Sequence, residues 1–149
     1  MSRTSIPTQI YPRIVERAAS TLPQTDTTSY FTVTGKVLIT QIIGEATTGM
    51  EAIANNMLLI SNPTAGNSVN LCAAINTNAH IPGTLYNITG TFGNAMQGVD
   101  GEGALIAQVT PVIVREGVIE LACDASATGE IKWTVHWMPL DAGSSLTVA

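Results

Sequence analysis

Hydrophobic and polar residues alternate along much of the chain after Tyr30, with the two-residue period of β-strands. The clearest alternation lies in residues 131–137, where four large apolar residues are separated by polar ones: Ile131, Trp133, Val135 and Trp137. Successive side chains of a strand point to opposite faces of a sheet. The pattern therefore predicts a strand with these four residues in the core and with Lys132 and His136 on the other face.

Further apolar runs with strand-like spacing are separated by segments rich in Gly, Pro, Asn and Thr, which favour turns. They predict strands over 31–34, 37–43, 69–75, 84–91, 105–109, 112–114 and 118–123. Met50–Ile60 also has apolar residues at near-helical spacing, but the loop residues on both sides favour a strand. This series predicts an all-β protein, an antiparallel β-sandwich of jelly-roll-like form, over residues 30–149. Residues 141–149 form either a tail or an edge strand supplied to a neighbour.

Residues 1–29 have a different character, because Pro7, Pro12 and Pro23 interrupt them and their apolar residues are few. Proline removes a backbone donor and is poorly tolerated inside a sheet. The sequence predicts an extended N-terminal arm here. Within it, Arg13–Ala19 could form one or two helical turns, although a helix this short is stable only against another surface.

The chain is 45% hydrophobic and only 11% charged, whereas a typical soluble domain carries about 25% charged residues. A monomer of this composition would expose apolar patches, so we expect a homo-oligomer, most readily a trimer. Residues 1–19 hold three arginines against one glutamate, and the rest of the chain holds three basic residues against ten acidic ones. A basic arm on an acidic body suits an acidic protein partner.

The same composition argues against other partners. Lys and Arg are too sparse for a nucleic-acid module, and no apolar run is long enough to cross a membrane. The first twenty residues lack the apolar core of a signal peptide, so we expect the chain to stay in a cytosol until assembly. In that compartment Cys72 and Cys123 favour two buried free thiols, with a disulfide between them as the alternative.

Candidate chemistry is sparse. His80 lies in a predicted loop and His136 lies on the polar face of a strand, and no nucleophile or phosphate-binding motif accompanies them. Asp100 and Glu102 supply two carboxylates, fewer oxygens than Ca²⁺ requires. We therefore expect no enzyme activity, no metal and no cofactor. Two weaker hypotheses concern a glycosylation acceptor at Asn87-Ile88-Thr89, which falls inside a predicted strand, and a sugar-stacking surface at Trp133 and Trp137.

Four stretches of the chain carry a resemblance to a known group of proteins: FTVTGKVLITQIIGEATT, ANNMLLISNPTAG, GTLYNITGTFGNAM and EIKWTVHWMPLDAGSSL. Over roughly residues 30–149 the sequence resembles decoration (cement) and related minor virion proteins of tailed bacteriophages. The resemblance implies a β-sandwich or jelly-roll body, often trimeric, bound outside a capsid where major capsid proteins meet. This group has no signature residues that could be transferred to the chain.

The resemblance and the composition together predict a non-enzymatic virion structural protein that decorates and stabilises a phage capsid by bridging neighbouring capsid subunits. Its expected partners are the major capsid protein and further copies of itself, and its expected location is the capsid exterior after assembly in the host cytoplasm. The alternative is a receptor- or carbohydrate-binding module of a phage tail or fibre. The arm residues expected to contact the partner are Arg3, Ile10, Tyr11, Arg13, Ile14 and Arg17.

Overall fold

A computed structural model describes residues 12–149 of the protein. This part of the chain forms twelve β-strands and contains no helix, so it has no helical segment that could cross a membrane. The strands are β1 (Arg13–Thr21), β2 (Thr27–Thr34), β3 (Val37–Thr48), β4 (Asn56–Pro63), β5 (Val69–Asn70), β6 (Ile75–Asn76), β7 (Leu85–Asn87), β8 (Gln97–Val99), β9 (Val112–Val114), β10 (Gly117–Cys123), β11 (Glu130–Pro139) and β12 (Ser145–Val148).

The strands form two six-stranded antiparallel sheets. Sheet A has the order β1-β11-β3-β7-β8, with β9 also paired to β3, and sheet B has the order β12-β2-β10-β4-β5, with β6 also paired to β4. Every strand pair in both sheets is antiparallel. The predicted all-β antiparallel sandwich is confirmed, whereas its jelly-roll likeness stays a prediction.

The core lies between the two sheets and takes alternate residues from the long strands. On β11 the four predicted core residues are buried, and Lys132, Thr134 and His136 lie half-exposed on the outer face. Gly44 of β3 is paired with Trp133, and a Cβ atom at Gly44 would stand 2.9 Å from the indole ring. Only glycine leaves room for the indole here, which is why an apolar strand contains a glycine at an inward position.

The predicted arm over residues 1–29 is not confirmed as a separate segment. β1 pairs with β11 from Arg13 opposite Trp137 to Thr21 opposite Glu130, and β2 already begins at Thr27. The helical turns predicted at Arg13–Ala19 are wrong, because this segment gains a complete strand partner in β11. Pro12 and Pro23 flank the strand and do not interrupt it, and β1 lies at a sheet edge, where missing donors are tolerated. Residues 1–11 lie outside the described part of the chain.

Several other predicted strands differ in extent. Met50–Asn55 forms a loop and the strand begins at Asn56, so the helical alternative for Met50–Ile60 is wrong. Within 69–75 only short segments pair with β4, and within 84–91 only β7 forms. Residues 105–109 form no strand. The C-terminal β12 pairs with β2 of its own chain and forms the edge strand of sheet B, so it is not a strand supplied to a neighbouring molecule.

Side-chain amides replace backbone pairing in the middle of sheet A. β3 pairs with β9 over Val37–Ile39 and with β7 over Ile43–Glu45, which leaves a gap between β9 and β7. The buried amide of Gln108 fills this gap: its Oε1 accepts from the Ile42 N–H at 3.2 Å and its Nε2 donates to the Ile39 carbonyl at 3.3 Å. The Gln108 amide therefore takes the place of a strand residue.

Candidate functional site

The titratable side chains of the described residues do not converge on a common pocket. His80 Nδ1 lies 2.7 Å from the Tyr86 hydroxyl and the two rings stack, which ties a loop to β7. Burial, with a smaller contribution from the Asp100 charge, raises the pKa of Tyr86 above its ordinary value of 10.0. His136 lies on the outer face of β11, and residues 12–149 contain no group of three or more His, Cys, Asp or Glu arranged to hold a metal ion.

Both cysteines are buried and free, which confirms the favoured prediction over the disulfide. Burial raises the pKa of Cys123 from 9.0 to about 11, against a smaller opposing effect of the hydrogen bond to Asn55. Burial also raises the pKa of Cys72. Neither thiol has the electropositive surroundings that lower a catalytic cysteine's pKa.

We expect both thiols to resist labelling in the native protein. At pH 8 a pKa of about 11 leaves about a hundredfold less thiolate at Cys123 than the ordinary 9.0, and burial blocks access as well. A thiol-specific disulfide reagent should therefore label two sites per chain rapidly in urea and neither site rapidly in buffer. Rapid labelling of the native protein would contradict the buried positions of Cys72 and Cys123.

Two of the weaker sequence hypotheses are wrong. Trp133 and Trp137 are buried in the core, and the Arg13 guanidinium lies 5.4 Å from the centre of the Trp137 ring, so these residues present no surface for sugar stacking. Asn87 is buried as well: its amide donates to the Ile106 carbonyl at 2.7 Å and accepts from Gln97 at 2.8 Å. A glycan could not be attached to an amide held in this position in the folded protein.

The strongest candidate site is the outward surface of sheet A, which we call the sheet A face. Four large hydrophobic side chains of the described residues are more than 60% exposed, namely Ile14 at 65%, Ile106 at 73%, Val109 at 74% and Ile113 at 63%. Ile14 lies on β1 at one flank of this sheet, and the other three lie on or beside β9 and β7 at the other flank. Exposed apolar side chains in such number on one sheet indicate a surface that a partner covers.

The surface between the two flanks is also largely apolar. Leu38 of β3 is paired with Ile113 and with Met138, so these three outward residues form one row across three strands. Ile43 and Leu85 line a shallow groove of about 120 Å³ together with Gln41, Asn87, Leu105 and Ala107. This composition is typical of the central part of a protein–protein interface.

Charge on the sheet A face is confined to one end. Lys132 Nζ lies 3.9 Å from Glu16, and Glu45 is paired directly with Lys132 across β11 and β3. Exposed ion pairs of this kind contribute about 0–1 kcal/mol. These groups therefore add orientation and salt sensitivity to a contact whose main contribution is apolar.

Amide side chains hold the most exposed part of the face in place. Asn87 holds the main chain at Ile106, and Gln41 exchanges two hydrogen bonds with the backbone of Gln108, at 3.1 Å and 2.8 Å. The side chains of Ile106 and Val109 are thus presented from a tethered segment. In the sequence these amide residues, Gln41, Asn87 and Gln108, stand out because they interrupt apolar runs. Their hydrogen-bond partners could not be identified from the sequence because they lie far away along the chain.

The structure separates the predicted partner-binding residues into three groups. The Arg17 guanidinium lies 4.1 Å from the centre of the Tyr30 ring, and Arg13 lies over Trp137, so both cover aromatic rings of their own chain. Ile14 belongs to the sheet A face. Arg3, Ile10 and Tyr11 lie outside the described residues.

Comparisons with known proteins give little further information. No protein-family model and no curated protein matches the chain. Among solved structures, a chain in the structure of infectious bursal disease virus, Gx strain, aligns with a TM-score of 0.29 and 11% sequence identity. The alignment covers 98% of this chain and 42% of the viral chain, so this protein spans less than half of that chain's length. A TM-score this low carries no argument about fold or function.

Proposed function

We propose that this protein is a non-enzymatic structural protein of a tailed-phage virion, which decorates the capsid exterior and bridges neighbouring subunits of the major capsid protein. The observation that supports this proposal is the sheet A face, because it combines the most exposed apolar side chains of residues 12–149 with very little charge. The sequence resemblance to phage decoration proteins points to the same role.

The layout of the face suits a bridge between two subunits. Ile14 projects at the β1 flank, whereas Ile106 and Val109 project at the opposite flank, with β11 and β3 between them. Two separate apolar contacts can engage two neighbouring surfaces at once. A rigid antiparallel sandwich holds the two contacts at a fixed distance, which favours the assembled shell over its separated subunits.

Stabilisation by such a protein requires no chemical step. A ligand that binds the assembled shell and not the free subunits shifts the equilibrium toward the shell, and many copies on one particle add their contributions. The scattered titratable groups agree with this role. In the proposal the protein assembles in the host cytoplasm, associates with further copies of itself, and has neither nucleic acid nor membrane as a partner.

Adding the protein to undecorated capsids is expected to raise the temperature at which packaged DNA is released. Replacing Ile106→Asp and Val109→Asp together should weaken capsid binding about a hundredfold, since burying each side chain contributes about 1.5 kcal/mol or more. The measurement is genome release on heating, with binding followed by co-sedimentation. Ile53→Asp with Val148→Asp is the matched control, because it adds the same charge at exposed apolar positions away from the sheet A face.

Two results would contradict the proposal. Equal release temperatures with and without the protein, together with binding to host-cell glycans, would favour a receptor-binding module of a tail or fibre. Equal binding by the Ile106/Val109 variant and the control variant would place the capsid contact elsewhere on the molecule.

A further inference from the structure

A second apolar surface lies beside the sheet A face, between the sheets on the side of β5 and β9. It is a groove of about 150 Å³ lined by Ser61, Pro63, Asn67, Val69, Leu71, Phe92, Ile113 and Arg115. Val69 and Phe92 are exposed, and Leu71 forms buried floor. A cavity of about this size lined by apolar side chains can hold a benzene-sized group, so this groove has room for one aliphatic side chain.

Arg115 places a positive charge at the edge of this groove. It is exposed and forms no ion pair with any of the described residues. One of its guanidinium nitrogens lies next to Gly66, since a Cβ there would stand 3.1 Å from it. An occupant with an aliphatic side chain next to a carboxylate would therefore complement the groove in both shape and charge.

The opposite end of the sandwich carries strong negative charge. Backbone hydrogen bonds bring its loops together, from Thr25 to Ala125, from Glu51 to Thr128 and from Ala79 to Glu51. Within the described part of the chain these loops and the strand end beside them hold six acidic residues and neither Lys nor Arg: Asp26, Glu51, Asp100, Glu102, Asp124 and Glu130. The sequence itself has no Lys or Arg between Lys36 and Arg115.

An exposed aliphatic side chain lies at this acidic end. Ile81 is half-exposed, and its position is fixed because its N–H donates to the Asp100 carboxylate at 2.8 Å. Gly101 packs directly against it, since a Cβ there would lie 2.4 Å from the Ile81 side chain. Glu102 follows in the same loop, exposed and without an ion pair among the described residues.

We propose that Ile81 of one copy of this chain occupies the Arg115 groove of a second copy, with Arg115 paired to Glu102 of that loop. In this arrangement each copy offers its Ile81 loop to the next copy and its groove to the previous one, so the contact is head-to-tail. A contact of this kind closes into a ring or continues as a filament, and it supplies a specific interface for the expected trimer. The contact does not depend on capsid attachment and is tested without capsids.

The first experiment measures the oligomeric state of the purified protein by sedimentation velocity at micromolar concentration. The wild type is expected to sediment as a closed oligomer, and Arg115→Glu or Ile81→Asp alone as a monomer that keeps the circular dichroism spectrum of the wild type. Lys36→Glu is the matched control, because it makes the same change of charge at the same end of the sandwich and should leave the oligomer intact. Higher salt should weaken the wild-type oligomer, since exposed charges are screened.

The second experiment tests whether the oligomer joins the Ile81 loop of one copy to the groove of another. Arg115→Glu retains an intact Ile81 loop, and Ile81→Asp retains an intact groove, so a mixture of the two variants should form a one-to-one dimer. The double variant Arg115→Glu with Glu102→Arg should regain the oligomer by restoring the opposite charges. A wild type that stays monomeric would overturn the proposal, as would an oligomer that persists in both single variants or a mixture that stays monomeric.

Discussion

Replacing Trp133 by alanine is expected to lower the free energy of unfolding by about 3–5 kcal/mol. Trp133 is fully buried on the inner face of sheet A, and its indole packs against Gly44 of β3. The truncation would leave a cavity in the middle of two paired strands, β11 and β3, whose backbones are fixed by the sheet. The core around the site can collapse only partly, so we expect a cost near the upper end of this range.

Trp133→Phe separates the packing contribution from the polar one. The indole N–H of Trp133 has no hydrogen-bond partner among residues 12–149, and a buried donor without a partner costs free energy. Phenylalanine removes this donor while filling most of the space, so the loss should be well below that of alanine. Because this variant is expected to fold, it also provides a result if the alanine variant does not.

The measurement is urea-induced unfolding followed by the fluorescence of Trp137. His136→Ala is the control on the opposite face of the same strand, and it should change the free energy of unfolding by no more than about 0.5 kcal/mol. A cost below about 1 kcal/mol for Trp133→Ala would contradict the core position of this side chain.

The β11 strand was predictable because its two faces differ in polarity at every position from Ile131 to Trp137. A shift of one residue in register would bury Lys132 and His136 and expose both tryptophans, so only one arrangement is acceptable. β10 and the first part of β3 were predictable as apolar runs bounded by turn residues. The sandwich follows from several strands of this kind with turn residues between them.

β1 was not predictable in the same way, because its inward positions are not all apolar. Arg13, Val15 and Arg17 are paired with the inward residues of β11. Two of the three inward positions of β1 are therefore charged, where an alternating strand would have apolar residues. The guanidinium groups of both arginines lie over aromatic rings, and cation–π contacts of this kind contribute about 0.5–2 kcal/mol. The rings come from β11 and β2, which lie far away in sequence.

The candidate site was missed for a related reason. Residues 105–109 have the composition of a strand, but the chain is held there by amide side chains and not by a neighbouring strand. An exposed apolar side chain and a core side chain look alike in a sequence. The three-dimensional structure is needed to show that Gln108 is buried beside β3, between β9 and β7, and that Ile106 and Val109 are exposed.

Replacing Gln108 by methionine is the second change with a large expected effect, a loss of about 3 kcal/mol. Methionine has a similar length but forms no comparable hydrogen bonds, so the Ile42 N–H and the carbonyls of Ile39 and Thr110 would lose their partner. A buried polar group left without a partner costs about 1–3 kcal/mol. Water that enters from the sheet edge can hydrogen-bond to some of these three groups. We therefore expect a loss of stability smaller than three times the cost of one unpaired group.

In the Gln108→Met variant the loss of stability should be largest around β3, close to the substitution. Hydrogen exchange at the Ile42 amide is expected to accelerate more than exchange in β10 of the other sheet, because the tether between β3 and residues 104–110 is broken. Val109→Ala is the control in the same segment, and its exposed side chain should contribute little to stability. Unchanged exchange at Ile42 would contradict the role assigned to the Gln108 amide.

Gln108→Glu adds a pH dependence with a definite sign. The carboxylate would still accept from the Ile42 N–H, but it would face two carbonyl oxygens in a buried place, which raises its folded pKa above the ordinary value of about 4.3. Ionisation then opposes folding, so the variant should be least stable relative to wild type at neutral pH. As the pH falls through the raised folded pKa toward the ordinary value, the protonated carboxyl can donate to one carbonyl and part of the stability should return. A stability difference from wild type that stays constant between pH 7 and pH 4 would mean that this side chain does not bridge β3.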